Sequence, residues 1–384
     1  MKQNTDKKEN IFISFLKRET VLVAASILAI ISAFFVTPNK KYMSYIDWRV
    51  LGILLSLMTV MAGLQKNGLF DKIGKKLLTK TKNTAQLTGV LVFLCFFSSM
   101  IITNDVALIT FVPFTVLTLR KCKQERLMVL VIVLQTIAAN MGSMLTPIGN
   151  PQNLYLYNVA DMTIGEFILC TLPYTVVSGL LLVMIIFVLS ARKRKISLEE
   201  CSFAEDERYD MKRIICYLLL FALCILSVAR LVPYYLILAV ILVTVLIIDR
   251  SVFGNVDYCL LLTFIAFFIF TGNIGNLPQF RDFLKNIVTG RELVSGVITS
   301  QVISNVPATL MLSEFTTNYR TLLKGVNIGG LGTLIASMAS LISYKIYAHN
   351  YNRTKWKYLF WFTVGNFIFL AVLMIVALAI KIHT

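Results

Sequence analysis

Apolar stretches close to membrane-spanning length recur along this chain, among them Val21–Val36, Val50–Gly63, Phe167–Ser190 and Tyr358–Ile380. In hydrocarbon the backbone has no water to bond, so such stretches must satisfy their own amides and carbonyls, and helices do so within one segment. With 57% hydrophobic and 15% charged residues over 384 positions, the chain lacks the charge that a soluble domain of this size needs to cover its surface. The expected class is an all-α integral membrane protein.

The formal charge of +17 does not point to nucleic acid, because no basic face interleaved with aromatics is present. Most Lys and Arg residues fall in short loops between apolar runs, the positive-inside signature. The seven cysteines are scattered without a CxxC pair, which argues against a metal site or a disulfide framework. His349 and His383 stand near loop ends and make no proton relay. With no nucleophile–base pair and no ligand cluster, neither an enzyme nor a bound cofactor is expected. The first residues, MKQNTDKKEN, precede a span without a cleavage site and read as a cytoplasmic tail, 1–19.

Loop charges set an arrangement in a bacterial inner membrane with the N-terminus in the cytoplasm. Val21–Val36 runs outward and Val50–Gly63 returns to a lysine-rich loop, whose segment Gly68–Leu78 is amphipathic and lies on the surface. From Gln86 to Leu119 the chain is apolar except at Thr103-Asn104-Asp105, with basic residues on both flanks. Either a re-entrant hairpin or two full spans returns it to the cytoplasm. Leu127–Thr146 and Phe167–Ser190 follow, and Arg192–Lys195 stops the latter inside. Ile214–Ala229, Tyr234–Ile248 and Tyr258–Phe270 alternate next. Between Arg291 and Arg320 only about one span of apolar sequence remains, centred on Ser304-Asn305-Val306-Pro307. Read as a hairpin entering from outside, it keeps the basic loop Lys345–Lys357 cytoplasmic once Val326–Tyr344 has run inward.

Two halves match in register. Asp47-Trp48 and Asp257-Tyr258 open equivalent spans, and Gly63 and Gly272 stand near their ends. Thr103-Asn104 and Ser304-Asn305 tip the hairpins, and Asn140–Thr146 aligns without gaps on Asn327–Thr333. Loop charges give the halves opposite orientation. The expected organisation is repeat 1 at 20–190, a cytoplasmic linker and extra helix at 191–231, and repeat 2 at 232–384. Each repeat carries a re-entrant hairpin and a discontinuous helix, with about nine full spans in all. Inverted repeats of this kind place a transport site at their interface near mid-membrane.

Four polar breaks converge there: Thr103–Asp105, Asn140–Asn153, Ser304–Pro307 and Asn327–Ser340. Irregular backbone at membrane depth survives only inside protein or beside a wet cavity. Half-helix N-termini favour anions, while unwound carbonyls with Asn and Thr/Ser oxygens suit Na⁺. Candidate substrate- or ion-binding residues are Thr103, Asn104 and Asp105; Asn140, Gly142, Ser143, Thr146, Pro147, Gly149, Asn150 and Asn153; Ser304, Asn305 and Thr309; and Asn327, Gly329, Thr333 and Ser337. Na⁺ is placed at Asn104, Asp105 and Asn305. The bland alternatives are an ordinary external loop for Gly142–Asn153 and a capping turn for Ser304–Asn305. Asp105 is an ion ligand or a helix cap, and an intramembrane carboxylate favours the former. Leu334 and Ala336 stand where the first half has Pro147 and Gly149, so a milder second break is expected.

The motifs TNDVALITFVPF (103–114), NMGSMLTPIGNPQNLYLY (140–157), SQVISNVPAT (300–309) and NIGGLGTLIASMASLI (327–342) resemble the ion transporter superfamily. That group holds divalent-anion:sodium symporters, citrate carriers, arsenite permeases and a branch of sodium/proton antiporters. The pattern is most similar to short bacterial permeases of the citrate-transporter-like group. The resemblance implies a scaffold and a mobile transport domain in a homodimer, with elevator-type alternating access. It implies a small, anionic solute (a di- or tricarboxylate or an inorganic oxyanion) coupled to Na⁺ or H⁺. In the anion:sodium branch, Ser-Asn-Thr tips hold carboxylates and sodium; here Asp105 and Val306 replace the third residue. A fixed carboxylate repels a dianion unless a cation offsets it, which raises the sodium/proton antiporter and arsenite-efflux alternatives.

Overall fold

The computed structural model describes residues 19–78, 81–189 and 210–383, and every element among them is a helix. The expected N-terminal tail and most of the linker lie outside the described residues. In chain order the first half contains α1 (Thr20–Phe35), α2 (Tyr42–Tyr45), α3 (Trp48–Lys66), α4 (Leu69–Leu78), α5 (Thr84–Ile102), α6 (Asn104–Lys121), α7 (Met128–Ser143), α8 (Pro151–Val159) and α9 (Ile164–Leu189). The second contains α10 (Met211–Val228), α11 (Tyr234–Ile248), α12 (Tyr258–Gly275), α13 (Pro278–Val288), α14 (Glu292–Ile303), α15 (Asn305–Ser313), α16 (Tyr319–Gly329), α17 (Met338–Asn350) and α18 (Lys355–His383).

Helix starts follow capping chemistry. Asp47 Oδ1 accepts the Val50 amide at 3.0 Å to open α3, and Asp257 Oδ1 accepts the Leu260 amide at 3.0 Å to open α12. These are the two aspartates paired in the sequence. An N-cap oxygen satisfies one of the amides that the first turn leaves without an intrahelical partner.

Among the described residues seven helices are long and apolar enough to cross a membrane, and α1, α11 and α14 are shorter apolar helices. Eight of the nine expected spans fall on continuous helices; the ninth, Val326–Tyr344, is divided between α16 and α17. The first hairpin differs from the second in scale. Its arm α5 has 19 residues and, at about 1.5 Å each, is long enough to cross on its own. Yet its turn is buried in protein, with Asn104 only 4% exposed, whereas a turn between two ordinary spans would sit in the polar interface. The arms α14 and α15 have 12 and 9 residues and are too short to cross.

The expected milder second break is not observed. Residues 144–150 and 330–337 are both non-helical, so the interruptions are of similar length. Proline is not needed in the second, because Gly332 adopts φ +105°, a conformation open to glycine at no steric cost. Among the described residues five cysteines are free thiols, and Cys122, contrary to expectation, is disulfide-bonded.

The packing is reciprocal between the halves. Helix α1 packs on α12, and α11 packs on α3. Helix α7 packs on the hairpin α5–α6, as α16 packs on α14–α15. The distal halves of the broken helices then exchange: α8 packs on α15 and α17 on α6. Between helices in lipid the hydrophobic drive is weak, so close approach at small residues does much of the work. A Cβ on Gly142 would lie 2.0 Å from the Phe96 carbonyl oxygen and 2.5 Å from Ser99 Oγ. A Cβ on Gly329 would lie 2.8 Å from Ser300 Oγ and 2.9 Å from Val297 Cα. In the register set by the two tips, Phe96 matches Val297 and Ser99 matches Ser300.

Gly142→Ala therefore forces α5 off α7. Overpacking costs about 1–3 kcal/mol, and a backbone obstacle puts this variant at the upper end. Gly165→Ala, whose Cβ meets nothing within 4 Å, serves as the control. The thermal midpoint of the detergent-purified protein is expected to drop for the first and to hold for the second.

Candidate functional site

Both hairpin tips turn through backbone that non-glycine residues avoid. Thr103 has φ 69° and ψ 149°, and Ser304 has φ 75° and ψ 154°. Such strain costs on the order of 1–3 kcal/mol and persists only where the surroundings impose it. Here the surroundings are the broken helices. The Asn104 amide donates to the Gly149 carbonyl at 3.1 Å, and the Asn305 amide donates to the Ala336 carbonyl at 2.9 Å. Gly149 and Ala336 are aligned positions. Each tip is thus tied to the break of its own half by the same bond. The Thr146 hydroxyl donates to the Met100 carbonyl, and the aligned Thr333 hydroxyl donates to the Gln301 carbonyl at 3.1 Å.

A second set of bonds crosses between the halves. Ser337 donates to Asn140 Oδ1 at 3.0 Å, and Asn140 Nδ2 donates to Ser340 Oγ at 3.3 Å. Asn150 Nδ2 donates to Asn327 Oδ1 at 3.2 Å, and Asn327 Nδ2 donates to Asn153 Oδ1 at 2.7 Å. The register that pairs Asn140 with Asn327 pairs Asn150 with Ser337 and Asn153 with Ser340. Each half therefore sends one asparagine to the same two positions of the other's break. Asn104 Nδ2 joins the cluster by donating to Asn140 Oδ1 at 3.0 Å. Asn153 Nδ2 satisfies the carbonyls of Ser143 and Thr146, each at 3.1 Å. All of these asparagines are buried, so the bonds replace water that is not there.

The candidates divide accordingly. Asn104, Asn140, Ser143, Asn150, Asn153, Asn327 and Ser337 meet in one network. Gly142 and Gly329 supply close approach, and Gly149 supplies the carbonyl that holds the first tip. Pro147 lies in the non-helical turn. Thr146 and Thr333 spend their hydroxyls on hairpin carbonyls. Thr309 donates to Asn305 within α15 at 2.7 Å and stays out of the network.

A cavity of about 480 Å³ opens beside the first tip. Thr103, Asp105 and Asn150 line it together with Leu57, Met61 and Lys66 of α3 and with Asp257 at the start of α12. Ser304 and Asn305 lie outside it. Asp105 stands in the first turn of α6, and its Oδ1 is buried without a hydrogen-bond partner among the described residues. Buried Gln152 Oε1, on α8, shares that condition. At the far end of the cavity Lys66 Nζ donates to Asp249 Oδ2 at 2.6 Å and also bonds Ser251. The Lys66 bond is the main reason that the Asp249 carboxyl is held down at about 2, with Ser251 assisting. The lysine charge is therefore committed to a fixed carboxylate at neutral pH.

The sequence reading missed Gln301, Lys66 and Asp257. Gln301 sits inside an apolar run and resembles any half-exposed helix residue. Asp257 was read as a span opener, and its place on the cavity wall depends on how α12 packs against α3. The spacing of Gln301 before the tip, matched by Met100, was the one available signal.

Removing Asn140 leaves the Asn104 amide and the Ser337 hydroxyl without their acceptor, at about 1–3 kcal/mol for each buried orphan. In a double-mutant cycle, Asn140→Ala and Ser337→Ala are expected to couple by about 1 kcal/mol. Thermal melts of the four proteins measure this; additive losses would remove the crossed bond from the account.

The chain matches the citrate transporter family over residues 11–319. It is 31% identical over 350 residues to an uncharacterized transporter of Methanocaldococcus jannaschii, covering 88% of this chain and 89% of that protein. It is 28% identical over 354 residues to an inner membrane protein of Escherichia coli, covering 89% of this chain and 92% of that one. A shorter stretch of 138 residues is 30% identical to the silicon efflux transporter of Oryza sativa subsp. japonica, 36% of this chain and 28% of that protein. The order of motifs, the several membrane-length helices and these similarities agree: the chain belongs to the citrate transporter family and is a multi-pass membrane transporter, not an enzyme.

Proposed function

We propose that this protein is a secondary active transporter that moves a small oxyanion by alternating access, coupled to a cation held at Asp105. The observation that carries the reading is the Asp105 carboxylate itself, with an unpartnered oxygen on the wall of a cavity at the strained first tip. An ionisable group at that depth is costly, and selection keeps such groups for transport of ions and protons. The coupling ion is Na⁺ or H⁺. With it bound the fixed charge is neutral, and the N-termini of α6 and α8 then favour an anion nearby. Lys66 does not fill that role, because Asp249 already occupies it.

Reciprocal contacts support an inverted repeat, and loop charges orient it with the N-terminus in the cytoplasm of a bacterial inner membrane. Lys66 and Asp257 are then near the cytoplasmic side, and the cavity is an inward-open access path. Helices α1, α3, α10, α11 and α12 pack mainly among themselves, and so do α5 to α8 with α14 to α18. This division suits a scaffold and a transport domain that slides past it.

Two further readings each have an observation in their favour. The cavity wall carries two aspartates and one committed lysine, which suits sodium/proton antiport without an organic solute. Similarity to a silicon efflux transporter over part of the chain suits export of an uncharged metalloid acid.

Thermal stability of the purified protein in Na⁺, Li⁺ or K⁺, with and without carboxylates, inorganic oxyanions and uncharged metalloid acids, separates the three. A ligand at about a hundredfold its dissociation constant adds about 2.7 kcal/mol. The expected result is stabilisation by an anion only when the coupling cation is present. Stabilisation by Na⁺ or Li⁺ alone, indifferent to every anion, would replace this reading with antiport; a response to metalloid acids alone would replace it with efflux. Asp105→Asn is expected to fold with an unchanged or higher midpoint, because it removes an unpaired carboxylate. It is also expected to lose cation dependence of transport in proteoliposomes, and retained dependence would exclude Asp105 from coupling.

A further inference from the structure

The two halves share the tip-to-break bonds and the crossed asparagine bonds, and one of the places where they differ is residue 301. Gln301, near the end of α14, turns its side-chain amide into the second break. Its Nε2 donates to the Gly329 carbonyl at 2.8 Å and the Leu331 carbonyl at 2.9 Å, and its Oε1 accepts the Thr333 amide at 2.8 Å. The fit is close, since a Cβ on Gly332 would come within 2.3 Å of Gln301 Oε1. The matching position in the first hairpin is Met100, whose thioether has no N–H to donate. The tips differ in the same sense, with Asp105 in the first and Val306 in the second. Unpartnered buried oxygens follow suit: Asp105 Oδ1 and Gln152 Oε1 belong to the first half. Among the described residues, the tip and break of the second half contribute none.

Unwound carbonyls at a helix break are the groups with which such folds hold a monovalent cation. An amide NH₂ presents two partly positive hydrogens to the same carbonyls and satisfies them without an ion. We propose that the Gln301 amide is a built-in substitute for a cation in the second half-site. The transporter then binds its coupling cation in the first half alone, and residue 301 determines the number of cations bound. Gln301 is a specificity-determining residue by this account, although it lies outside the cavity beside the first tip. A carboxylate at 301 would instead place its oxygens against the Gly329 and Leu331 carbonyls, a cluster that needs a cation between them.

The proposal rests on the reading of Asp105 for the location of the first cation, and the test separates the two. Na⁺ bound per chain is measured by equilibrium dialysis with radioactive sodium at mildly alkaline pH. The full-length detergent-purified proteins are wild type, Asp105→Asn, Gln301→Glu and the double variant. Gln301→Glu is expected to bind one Na⁺ more than wild type, and the double variant is expected to keep that added ion. Two Na⁺ on the wild type, or no gain in folded Gln301→Glu, would overturn the proposal. A wild-type count of one Na⁺ that Asp105→Asn leaves unchanged would count against the coupling role of Asp105, while the gain from Gln301→Glu still decides the role of Gln301. Should Gln301→Glu not fold, Gln301→Met replaces it, carrying the residue found at the matching position. Na⁺ is then expected to raise its midpoint at least twice as far as it raises that of wild type. An equal rise would refute the substitution of amide for cation.

Discussion

Everything at the centre of this protein follows from one requirement: backbone interrupted at membrane depth must find its hydrogen bonds inside the protein. Residues 144–150 and 330–337 leave the helical ladder, and at each interruption amides and carbonyls lose their usual partners. Asparagine answers this well, because one side chain both donates and accepts. Asn153 Nδ2 takes the Ser143 and Thr146 carbonyls and Gln301 Nε2 those of Gly329 and Leu331, while side-chain bonds from Asn140 to Ser337 and Ser340, and from Asn327 to Asn150 and Asn153, brace the interruptions. They also fasten the halves to each other, so the irregular segments are held from both sides. Around them the helices need only pack closely, as the contacts at Gly142 and Gly329 show.

The same requirement explains why the tips tolerate strain. Thr103 and Ser304 adopt positive φ with no glycine to ease it. The tip amides of Asn104 and Asn305 have carbonyls waiting at Gly149 and Ala336, and those bonds hold only if the chain turns sharply one residue earlier. A glycine at either tip would relieve the strain, but it would give up the hydroxyl beside the tip asparagine and loosen the turn.

Much of this was legible in the sequence. The polar interruptions stood out because Asn, Pro and Gly are expensive inside apolar runs, and the alignment of Asn140–Thr146 with Asn327–Thr333 marked the two breaks, though not the bonds they exchange. What could not be read is equally specific. Charge counting returned the chain to one side whether 86–119 was a hairpin or two spans, and the burial of Asn104 in protein is an observation in favour of the hairpin. The second break looked mild because Leu334 and Ala336 replace a proline and a glycine. Gly332, two residues earlier, supplies the needed backbone freedom. Gln301 was invisible for a different reason, since an isolated glutamine in an apolar helix gives no sign of which neighbour its amide will reach.

The tip and crossed bonds recur in both halves while the chemistry of the tips does not, and that difference suits the proposed coupling. If both half-sites were alike, either would hold the cation equally well, and nothing would link its binding to one particular tip. Here the second half is closed on itself through Gln301, and its tip carries Val306. The first keeps the Asp105 oxygen unpaired beside a cavity that extends to Lys66 and Asp257. A carboxylate left in that condition costs stability, and the crossed asparagine network holds the tip in place despite it. On the proposed reading a cation bound there would remove the cost, and occupancy of the first half would then change the relative stability of its conformations. A ligand shifts an equilibrium only through such differential binding. Of the two half-sites, only the one with an unsatisfied charge can provide it.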